Sequence, residues 1–555
     1  MNNKKVKNTL GLTALSMIMF VVTLDTTITN IALPTTTSYF KANLTDSNWI
    51  STIYVLVLSV FIIPASKLAD QFGRKRIMLI GLALFGLGSA LCGLSQSLSF
   101  LILMRIVQGL GGAIATPVMI PLSVDLFGRK KANQAVGIIG AVSAIAAAAG
   151  PPIGGLLIRF TTWHAIFFVN IPVVIITFVL TQVCFSESYD NTISKKVDIL
   201  GMILLSVSLF QVTFVLLKGY DYGWSSPIIL VMLTGMLLSL VLFLLFEQKL
   251  DEPLIEFGLF HESTFMASSI MYFICGFSII CSSVIFNFYL ENIRNFTALH
   301  AAYIIMFTSL MVMIAMPLGS WFAQRYDYRP VIFIGVLLMS FSLFMLVQLK
   351  INTSIFGMII DMIVLGFGFG LTSLSIVSAV QFIPQVKAGI ASGMVNAARQ
   401  LGTCLGIALL VGMMSHNIDM AKTQIVNQST TDIERLQILP SVKPIIIRDL
   451  KNSLHQNNNV NQSNLKRLLS KTLEQNKSLT PSELINQKLQ IEKMVAELHK
   501  NKGTKIVTAF TKTFEVAGII ILLSSTFGLF TDRKRSSVDI DAEYDKHLSK
   551  KQINK

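Results

Sequence analysis

The sequence predicts an all-α polytopic membrane protein with fourteen spanning helices. Three observations support this fold class. Of the 555 residues, 53% are hydrophobic and only 14% are charged, whereas soluble domains carry about 25% charged residues. The mean hydropathy is +0.65. Apolar runs of about 20 residues, the length that crosses a bilayer as a helix, recur along most of the chain.

Each of these runs is expected to be a helix, because backbone in lipid must satisfy its own hydrogen bonds. The limits of the apolar runs give the fourteen predicted spans: 10–34, 48–66, 77–96, 99–127, 134–158, 164–185, 198–217, 227–246, 264–288, 300–323, 330–349, 355–380, 388–414 and 506–530.

The orientation follows from Lys and Arg in the short loops. The loops 66–76 and 128–133 and the tail after 530 are basic, and the loops between them are nearly bare of basic residues. We therefore expect both termini in the cytoplasm and a multi-pass protein of the cell (plasma) membrane. The net charge of +15 lies in loops, one polar insert and the termini, which argues against nucleic-acid binding because that needs a basic face on a folded domain.

The chain offers no enzyme or metal constellation. Its five cysteines all lie inside apolar runs, with a spacing that suggests neither zinc nor a disulfide framework. There is no Walker loop for nucleotide phosphates. We therefore expect no cofactor, no metal and no catalytic activity.

The segment 415–505 differs from the rest, because it is rich in Asn, Gln, Lys and Ser. On the predicted topology it faces outside. Thr480-Pro481-Ser482-Glu483 is a capping box with Pro at the first helical position, and 464–475 is a second helical candidate. We expect two or more helices in this insert.

Four of the ionisable residues within the predicted spans are candidates for a function. Asp25 lies near the middle of the first, where a charge costs at least ~2.5 kcal/mol, and is therefore a functional candidate. Arg105 in the fourth span must face a cavity or an acid, which makes it a candidate partner for Asp25. Asp361 and Glu515 are possible substrate or proton acids. The alternatives are a water-exposed helix mouth for Asp361 and a pair with Lys512, one turn away, for Glu515.

Two motifs concern the helix backbones and their loops. After the second span, an acid precedes a glycine and a basic cluster. This pattern predicts a tight cytoplasmic turn that latches the two halves of the protein together on the inner side. In the fifth span, a proline that kinks the helix stands among glycines that allow close packing. These residues are Gly137, Gly150, Pro151, Gly154 and Gly155.

These motifs resemble the signatures of the major facilitator superfamily. The loop 66–76 is similar to its cytoplasmic motif, with Ser66 where that motif begins with Gly. In the family this motif gates the transporter from the cytoplasmic side, which implies a cytoplasmic gate made of Asp70, Gly73, Arg74 and Arg76. The fourth span is similar to its second motif, and the fifth to a motif found in its antiporters. The stretch from Leu24 to Pro34, with Asp25, and the Trp163–Pro172 stretch resemble the fourteen-span drug/proton antiporter branch. The resemblance runs from residue 10 to about 414 and resumes near 506.

The resemblance implies the domain organisation and the roles of the candidates. Two six-helix bundles comprise 1–186 and 258–414 with 506–530, and 187–257 is a linker with two extra spans. The insert 415–505 is extracellular and 531–555 is a cytoplasmic tail. In the family, the arginine at the position of Arg105 is tied to proton coupling, which assigns Asp25 and Arg105 to that role. We expect a monomer surrounded by membrane lipid.

Three hypotheses about function follow. The first is a proton-coupled multidrug exporter, an antiporter for amphipathic and often cationic small molecules. The second keeps the fold but exports a lipid, glycolipid or fatty acid, with the insert as a cargo or partner element. The third is a membrane scaffold or sensor, which the intact motifs disfavour.

Overall fold

The computed structural model describes residues 2–42, 44–189, 197–250, 254–255, 257–381, 383, 388–435 and 481–532. Within these ranges the regular secondary structure is helical, without strands. The predicted helix at 464–475 and most of the predicted cytoplasmic tail lie outside the described residues.

Fourteen long helices follow one another along the chain, as predicted. They are α1 (Asn2–Phe40), α2 (Trp49–Phe72), α3 (Arg74–Gly93), α4 (Leu98–Phe127), α5 (Arg129–Phe160), α6 (Ala165–Cys184), α7 (Ile199–Tyr222), α8 (Pro227–Glu247), α9 (Ser263–Asn292), α10 (Ala298–Tyr326), α11 (Tyr328–Val347), α12 (Ile355–Val380), α13 (388–435) and α14 (Pro481–Gly528).

By length and hydropathy, thirteen of these described helices can each span a membrane. The fourteenth, α5, bends by 44° between Gln134–Ala147 and Pro152–Phe160. Proline inside a helix removes a backbone donor and kinks it, so the break falls where Pro151 and Pro152 predict it. The count of fourteen spans is thereby confirmed.

Several helix starts follow from capping side chains in the sequence. Ser97 accepts a hydrogen bond from the backbone N–H of Phe100 at the start of α4, and Ser354 accepts from that of Gly357 at the start of α12. Ser226 caps α8 in the same way, with a proline at the first helical position. Such caps satisfy backbone N–H groups that have no partner within the helix.

The helices form two bundles with the same internal packing. In the first, α3 packs on α4, α2 on α4, α1 on α5 and α3 on α6. In the second, α11 packs on α12, α10 on α12, α9 on α13 and α11 on α14. Each pair of the second bundle thus repeats a pair of the first eight helices later, as expected for two related six-helix units. The extra helices α7 and α8 pack on each other.

Glycines set the same close contact in both bundles. A Cβ on Gly111 of α4 would lie 2.3 Å from the backbone nitrogen of Phe85 in α3, and one on Gly368 of α12 would lie 2.7 Å from that of Met339 in α11. No side chain fits at either place. These glycines therefore give matching reference points in the two bundles.

The two bundles meet through α2 with α13 and through α5 with α10. Near the start of α5, the Gln134 amide donates to the Gln324 side chain at 3.2 Å. The extra helix α7 packs against α2, where the Lys218 ammonium lies 5.2 Å from the ring centroid of Trp49 and pairs with Asp221 at 2.9 Å. This side of α2 thus holds the extra helices to the first bundle.

The ends of the insert are continuous with spanning helices. The helix α13 runs on to Arg435, and α14 begins at Pro481, where the capping box predicts a helix start. The 48 residues of α14 make it about 72 Å long, more than twice the ~30 Å hydrocarbon core. The two helices pack together, and Lys505 Nζ donates to Gln428 Oε1 at 2.7 Å. The hydropathy limits at 414 and 506 therefore mark no helix ends.

Candidate functional site

A fully buried polar cluster surrounds Asp25 in the first bundle. Its carboxylate forms an ion pair with the Arg105 guanidinium, in which Nη1 donates to Oδ2. The other carboxylate oxygen, Oδ1, accepts from Gln108 Nε2 at 2.8 Å and from Asn170 Nδ2 at 3.1 Å. All four side chains have no exposed surface. The structure thus brings Asp25 and Arg105 together, as the sequence predicts, and adds two amides.

The guanidinium of Arg105 is held on several sides. Its Nε donates to the carbonyl oxygen of Ile50 at 2.9 Å, and Nη1 also donates to Gln108 Oε1 at 2.8 Å. Its carbon Cζ lies 4.3 Å from the ring centroid of Tyr54 and 5.6 Å from that of Phe167. Aromatic faces attract a cation at this range. The buried charge is therefore compensated by one carboxylate, two acceptors and two rings.

Ser89 on α3 ties the amides together. Its Oγ accepts from Gln108 Nε2 at 3.2 Å and from Asn170 Nδ2 at 3.0 Å, and it donates to the carbonyl of Phe167 at 2.8 Å. The cluster therefore joins α1, α3, α4 and α6. Sequence reasoning missed Ser89 and Tyr54, since a serine or tyrosine in an apolar run has no distinctive pattern.

Three buried polar atoms of the cluster have no hydrogen-bond partner among the described residues. They are Arg105 Nη2, Tyr54 Oη and Asn170 Oδ1. Buried polar groups in proteins are nearly always satisfied by protein or water. These atoms thus mark places where water can join the cluster. The guanidinium does not deprotonate in proteins, so its positive charge stays in the cluster.

The second bundle has no such cluster at the equivalent positions. Arg105 and Gln108 precede Gly111 by six and three residues, and the residues at the same distances from Gly368 are Met362 and Leu365. Ser89 follows Gly81 by eight residues, as Leu343 follows Gly335. All three counterparts are buried and apolar. The ionisable network is thus a property of the first bundle.

The glycines of α5 divide by the face on which they lie. A Cβ on Gly150 would be 2.0 Å from Thr27 Oγ1, and one on Gly154 would be 2.8 Å from Ile28 Cγ1. Both glycines therefore let α5 pack closely on α1 beside Asp25. The nearest atom to a Cβ on Gly137 is Ser320 Cβ of α10 at 3.5 Å, and a Cβ on Gly155 meets nothing within 4 Å.

The predicted cytoplasmic gate lies at the junction of α2, α3 and α13. Arg74 Nε donates to Asp70 Oδ1 at 2.9 Å, and its Nη1 lies 3.5 Å from Asp125 Oδ2. Gly73 has a φ of +112°, which favours glycine. A Cβ on Gly389, at the start of α13, would be 2.3 Å from the Asp70 carboxylate oxygens. The acid therefore sits at a helix N-terminus of the other bundle, where the helix dipole favours a negative charge.

Ser66 occupies the position where the family motif has glycine, and the opposite helix accommodates it. A Cβ on Gly393 of α13 would lie 2.4 Å from Ser66 Oγ. Ser66 is buried, and its hydroxyl donates to the Ile63 carbonyl at 2.8 Å. The close contact between the bundles is thus kept, with the glycine on α13 instead of α2.

Two acids that sequence reasoning missed cap helices at this end of the fold. The Glu187 carboxylate accepts from the backbone N–H groups of Lys75 at 3.0 Å and Arg76 at 3.1 Å, at the start of α3. Asp532 Oδ2 accepts from the N–H of Tyr328 at 2.8 Å, at the start of α11. Burial raises the pKa of Asp532, and the Tyr328 hydrogen bond opposes this rise. Each acid follows the last helix of its bundle, and the contacts are too distant in sequence for a local pattern to reveal.

Two further candidates lie outside the cluster. Asp361 on α12 is 5% exposed, so the alternative of a water-exposed helix mouth is wrong. Glu515 on α14 is exposed on the protein surface. Among the ion pairs of the described residues there is none between Lys512 and Glu515, so that alternative is also wrong. A functional role for either acid stays a prediction.

Replacing Arg74 with alanine is expected to destabilise the protein by on the order of 3 kcal/mol, because it removes one partner of the buried Arg74–Asp70 ion pair. Arg76→Ala is the matched control. Arg76 is exposed and meets Glu187 through its backbone N–H, so we expect a change within about 0.5 kcal/mol. Thermal unfolding in detergent measures both. Equal losses would contradict this assignment of the gate.

Fold and site together define a polytopic membrane transporter of two related bundles. The family model for the Major Facilitator Superfamily matches residues 15–407, and the chain belongs to this family. It is a multi-pass membrane protein and, like the family, a transporter and not an enzyme. The match ends before the insert.

Individual relatives agree with the family assignment. The chain is 31% identical over 412 residues, 73% of its length and 76% of the relative, to the tetracenomycin C resistance and export protein of Streptomyces glaucescens. It is 30% identical over 408 residues, again 73% and 76%, to the multidrug resistance protein Stp of Mycobacterium tuberculosis. The human organic anion transporter MFSD10 (TETRAN) shares the fold, with a TM-score of 0.54, 12% identity, and coverage of 74% of this chain and 93% of that one.

Proposed function

We propose that this chain is a proton-coupled exporter of amphipathic small molecules from the cell, with Asp25 as the proton carrier. The fully buried ion pair of Asp25 with Arg105 is the observation that carries the proposal. A buried charge pair is costly to build and is often no more stabilising than apolar packing. Its place at the meeting of four helices suits a role in transport. The drug-export relatives support the direction and the class of cargo.

The coupling rests on two protonation states of one carboxylate. When Asp25 is ionised, its charge pairs with Arg105 and both amides donate to it. When Asp25 is protonated, the ion pair is lost, and the Arg105 guanidinium must hydrogen-bond to another acceptor. The two states favour different packing of α1 against α4 and α6. A proton that enters from outside thus shifts the balance between two arrangements of the bundle.

The geometry of α5 and of the cytoplasmic gate supports the same mechanism. Gly150 and Gly154 let α5 lie against α1 one turn from Asp25, so a change at the carboxylate reaches α5 directly. Further along, α5 packs against α10 of the second bundle. The gate holds α2 to α13 on the side that we predict to be cytoplasmic. These contacts hold the two bundles together at that end of the fold.

Transport by purified protein in liposomes tests the proposal. With an imposed pH gradient, we expect the wild-type protein to transport dyes from a panel of cationic, neutral and anionic fluorescent amphiphiles. Asp25→Asn keeps the size and one acceptor oxygen but cannot take up a proton, so we expect it to lose gradient-driven transport of every dye that the wild type carries. Asp419→Asn, at an exposed acid of α13, is the matched control. Equal gradient-driven transport by wild type and Asp25→Asn would refute the role of Asp25.

A further inference from the structure

A second arginine lies deep in a spanning helix of the other bundle. Arg399 is eleven residues beyond the start of α13 at Ala388, which places it about 16 Å along the helix. This is roughly half of a ~30 Å hydrocarbon core. Its side chain is half-buried. A guanidinium at this depth is rare and is usually functional.

Unlike Arg105, Arg399 has no acidic partner. Its buried Nε has no hydrogen-bond partner, and no ion pair joins it to an acid in the part of the chain that the structure describes. The contact that remains is aromatic, since Cζ lies 5.7 Å from the ring centroid of Tyr272 on α9. Arg105 has a carboxylate, carbonyl and amide acceptors and two rings. Arg399 therefore brings a positive charge to this depth of α13 without an ion-pair partner among the described residues.

Close packing fixes this pair in place. A Cβ on Gly276 of α9 would lie 1.9 Å from the carbonyl oxygen of Arg399, and one on Gly402 of α13 would lie 2.0 Å from that of Phe273. The two backbones are therefore in direct contact on either side of the Arg399–Tyr272 pair. The pair is thus held by two closely packed helices, and the guanidinium N–H groups have no hydrogen-bond acceptor among the described residues.

Arg399 lies on α13 between a face that contacts the first bundle and a face that contacts the second. Gly393 meets Ser66 of α2, and Gly402 meets Phe273 of α9. These glycines lie on opposite faces, because nine residues make two and a half turns. Arg399 lies on the flank between them. A charged side chain in a spanning helix faces the protein interior or water and not lipid, so we expect this flank of α13 to face away from lipid.

We propose that Arg399 and Tyr272 form a subsite for an anionic group of the cargo, a carboxylate or a phosphate carried on an apolar body. Guanidinium N–H groups match such oxyanions in a two-pronged hydrogen bond, and the aromatic ring packs against the adjoining apolar part. The proposal rests on the proposed export function and narrows its cargo from amphipathic compounds in general to those with an oxyanion. Free compounds and lipid headgroups share this chemistry.

Two xanthene dyes with the same ring system but opposite charge test whether the subsite recognises the charge or the shape of its ligand. Binding of fluorescein, an anion, and of a rhodamine ester, a cation with the same ring system, is measured by fluorescence anisotropy on full-length protein in detergent. Arg399→Gln is expected to weaken fluorescein binding at least about tenfold, the loss of one charged hydrogen bond, without weakening rhodamine binding. Arg399→Lys keeps the charge but not the planar fork, so we expect it to recover part of the fluorescein affinity.

The controls make each outcome decisive. Arg325→Gln alters an exposed arginine whose Cζ lies 5.8 Å from the Tyr326 ring, and it should change neither affinity. Absence of fluorescein binding by the wild type, an unchanged fluorescein affinity in Arg399→Gln, or an equal loss for both dyes would overturn the subsite.

A competition experiment distinguishes a lipid headgroup from a free compound as the source of the oxyanion. Displacement of fluorescein by phosphatidylglycerol but not by phosphatidylcholine would identify a lipid headgroup, and no displacement by either lipid would identify a soluble compound.

This test is independent of proton coupling. Equilibrium binding needs no gradient, so the discrimination between the dyes would stand even if Asp25→Asn transported normally. Conversely, loss of transport in Asp25→Asn together with unchanged fluorescein binding in Arg399→Gln would support the coupling and reject the subsite.

Discussion

Replacing Arg105 with leucine is expected to lower the free energy of unfolding by about 3–5 kcal/mol, the usual effect of removing one partner of a buried ion pair. Asp25 then keeps the amides of Gln108 and Asn170 but has no cation. Because Arg105 is the cation that the proposed coupling requires, we expect the surviving protein to lose transport driven by a pH gradient. Thermal unfolding and liposome transport measure the two effects.

Two further variants distinguish the ion pair from simple packing. Arg159→Leu removes an exposed arginine near the end of α5 and should leave stability and transport nearly unchanged. Asp25→Asn combined with Arg105→Gln removes both charges, so it should be more stable than Arg105→Leu while remaining inactive. If the double variant is as unstable as Arg105→Leu, the change in side-chain volume at these positions destabilises the protein more than the unpaired charge does.

Leucine at Gly150 is expected to abolish most of the transport, whereas leucine at Gly155 is expected to be tolerated. At Gly150 the new side chain meets Thr27 Oγ1 at 2.0 Å and the Ile28 backbone nitrogen at 3.3 Å, so α1 must move away from α5. Overpacking of this kind costs about 1–3 kcal/mol. Because Thr27 is two residues from Asp25, the shift also disturbs the ion pair. Liposome transport and thermal unfolding give the comparison.

The two glycines form a matched pair, since both lie in the same motif and five residues separate them. Gly155 has open space at its Cβ, so the Gly155→Leu variant reports on the loss of glycine itself. Strong impairment by both variants would mean that the motif needs flexible backbone and not close contact with α1. Normal transport by Gly150→Leu would show that this contact is dispensable.

Much of the fold could be predicted from the sequence because lipid imposes a simple rule on the backbone. The fourteen spans follow from the apolar runs, the break in α5 from its prolines, and the start of α14 from the capping box ahead of Pro481. The limits of the insert were less predictable, because helix α14 continues from polar into apolar sequence without a break. Hydropathy reports where lipid begins, and it does not report where a helix ends.

The candidate site was partly predictable for a related reason. Asp25 and Arg105 stand out because a charge in an apolar run is costly, and two such opposite charges are natural partners. Ser89 and Tyr54 carry no charge, so only the packing of four helices shows that they belong to the cluster. Glu187 is charged, but it lies in a polar stretch where an acid is ordinary. Its hydrogen bond to the Lys75 backbone spans 112 residues of sequence.

The glycines of α5 were all assigned to one motif, although the structure separates them. Gly150 and Gly154 are four residues apart and share a helix face, whereas Gly155 is turned away from α1. Gly137 lies closest to α10 of the other bundle. The helical period could have divided Gly155 from the other two, but the neighbour of each face depends on the three-dimensional packing.

The difference between the two bundles bears on how this transporter can evolve. Met362, Leu365 and Leu343 fill with apolar side chains the positions that hold the ion pair and its hydrogen bonds in the first bundle. Apolar residues exchange for one another at a small energetic cost when their volume is kept, whereas a buried charge network tolerates few changes. The second bundle is therefore free to drift in sequence and to adapt its cavity to new cargo, while the first is constrained to preserve its ionisable core.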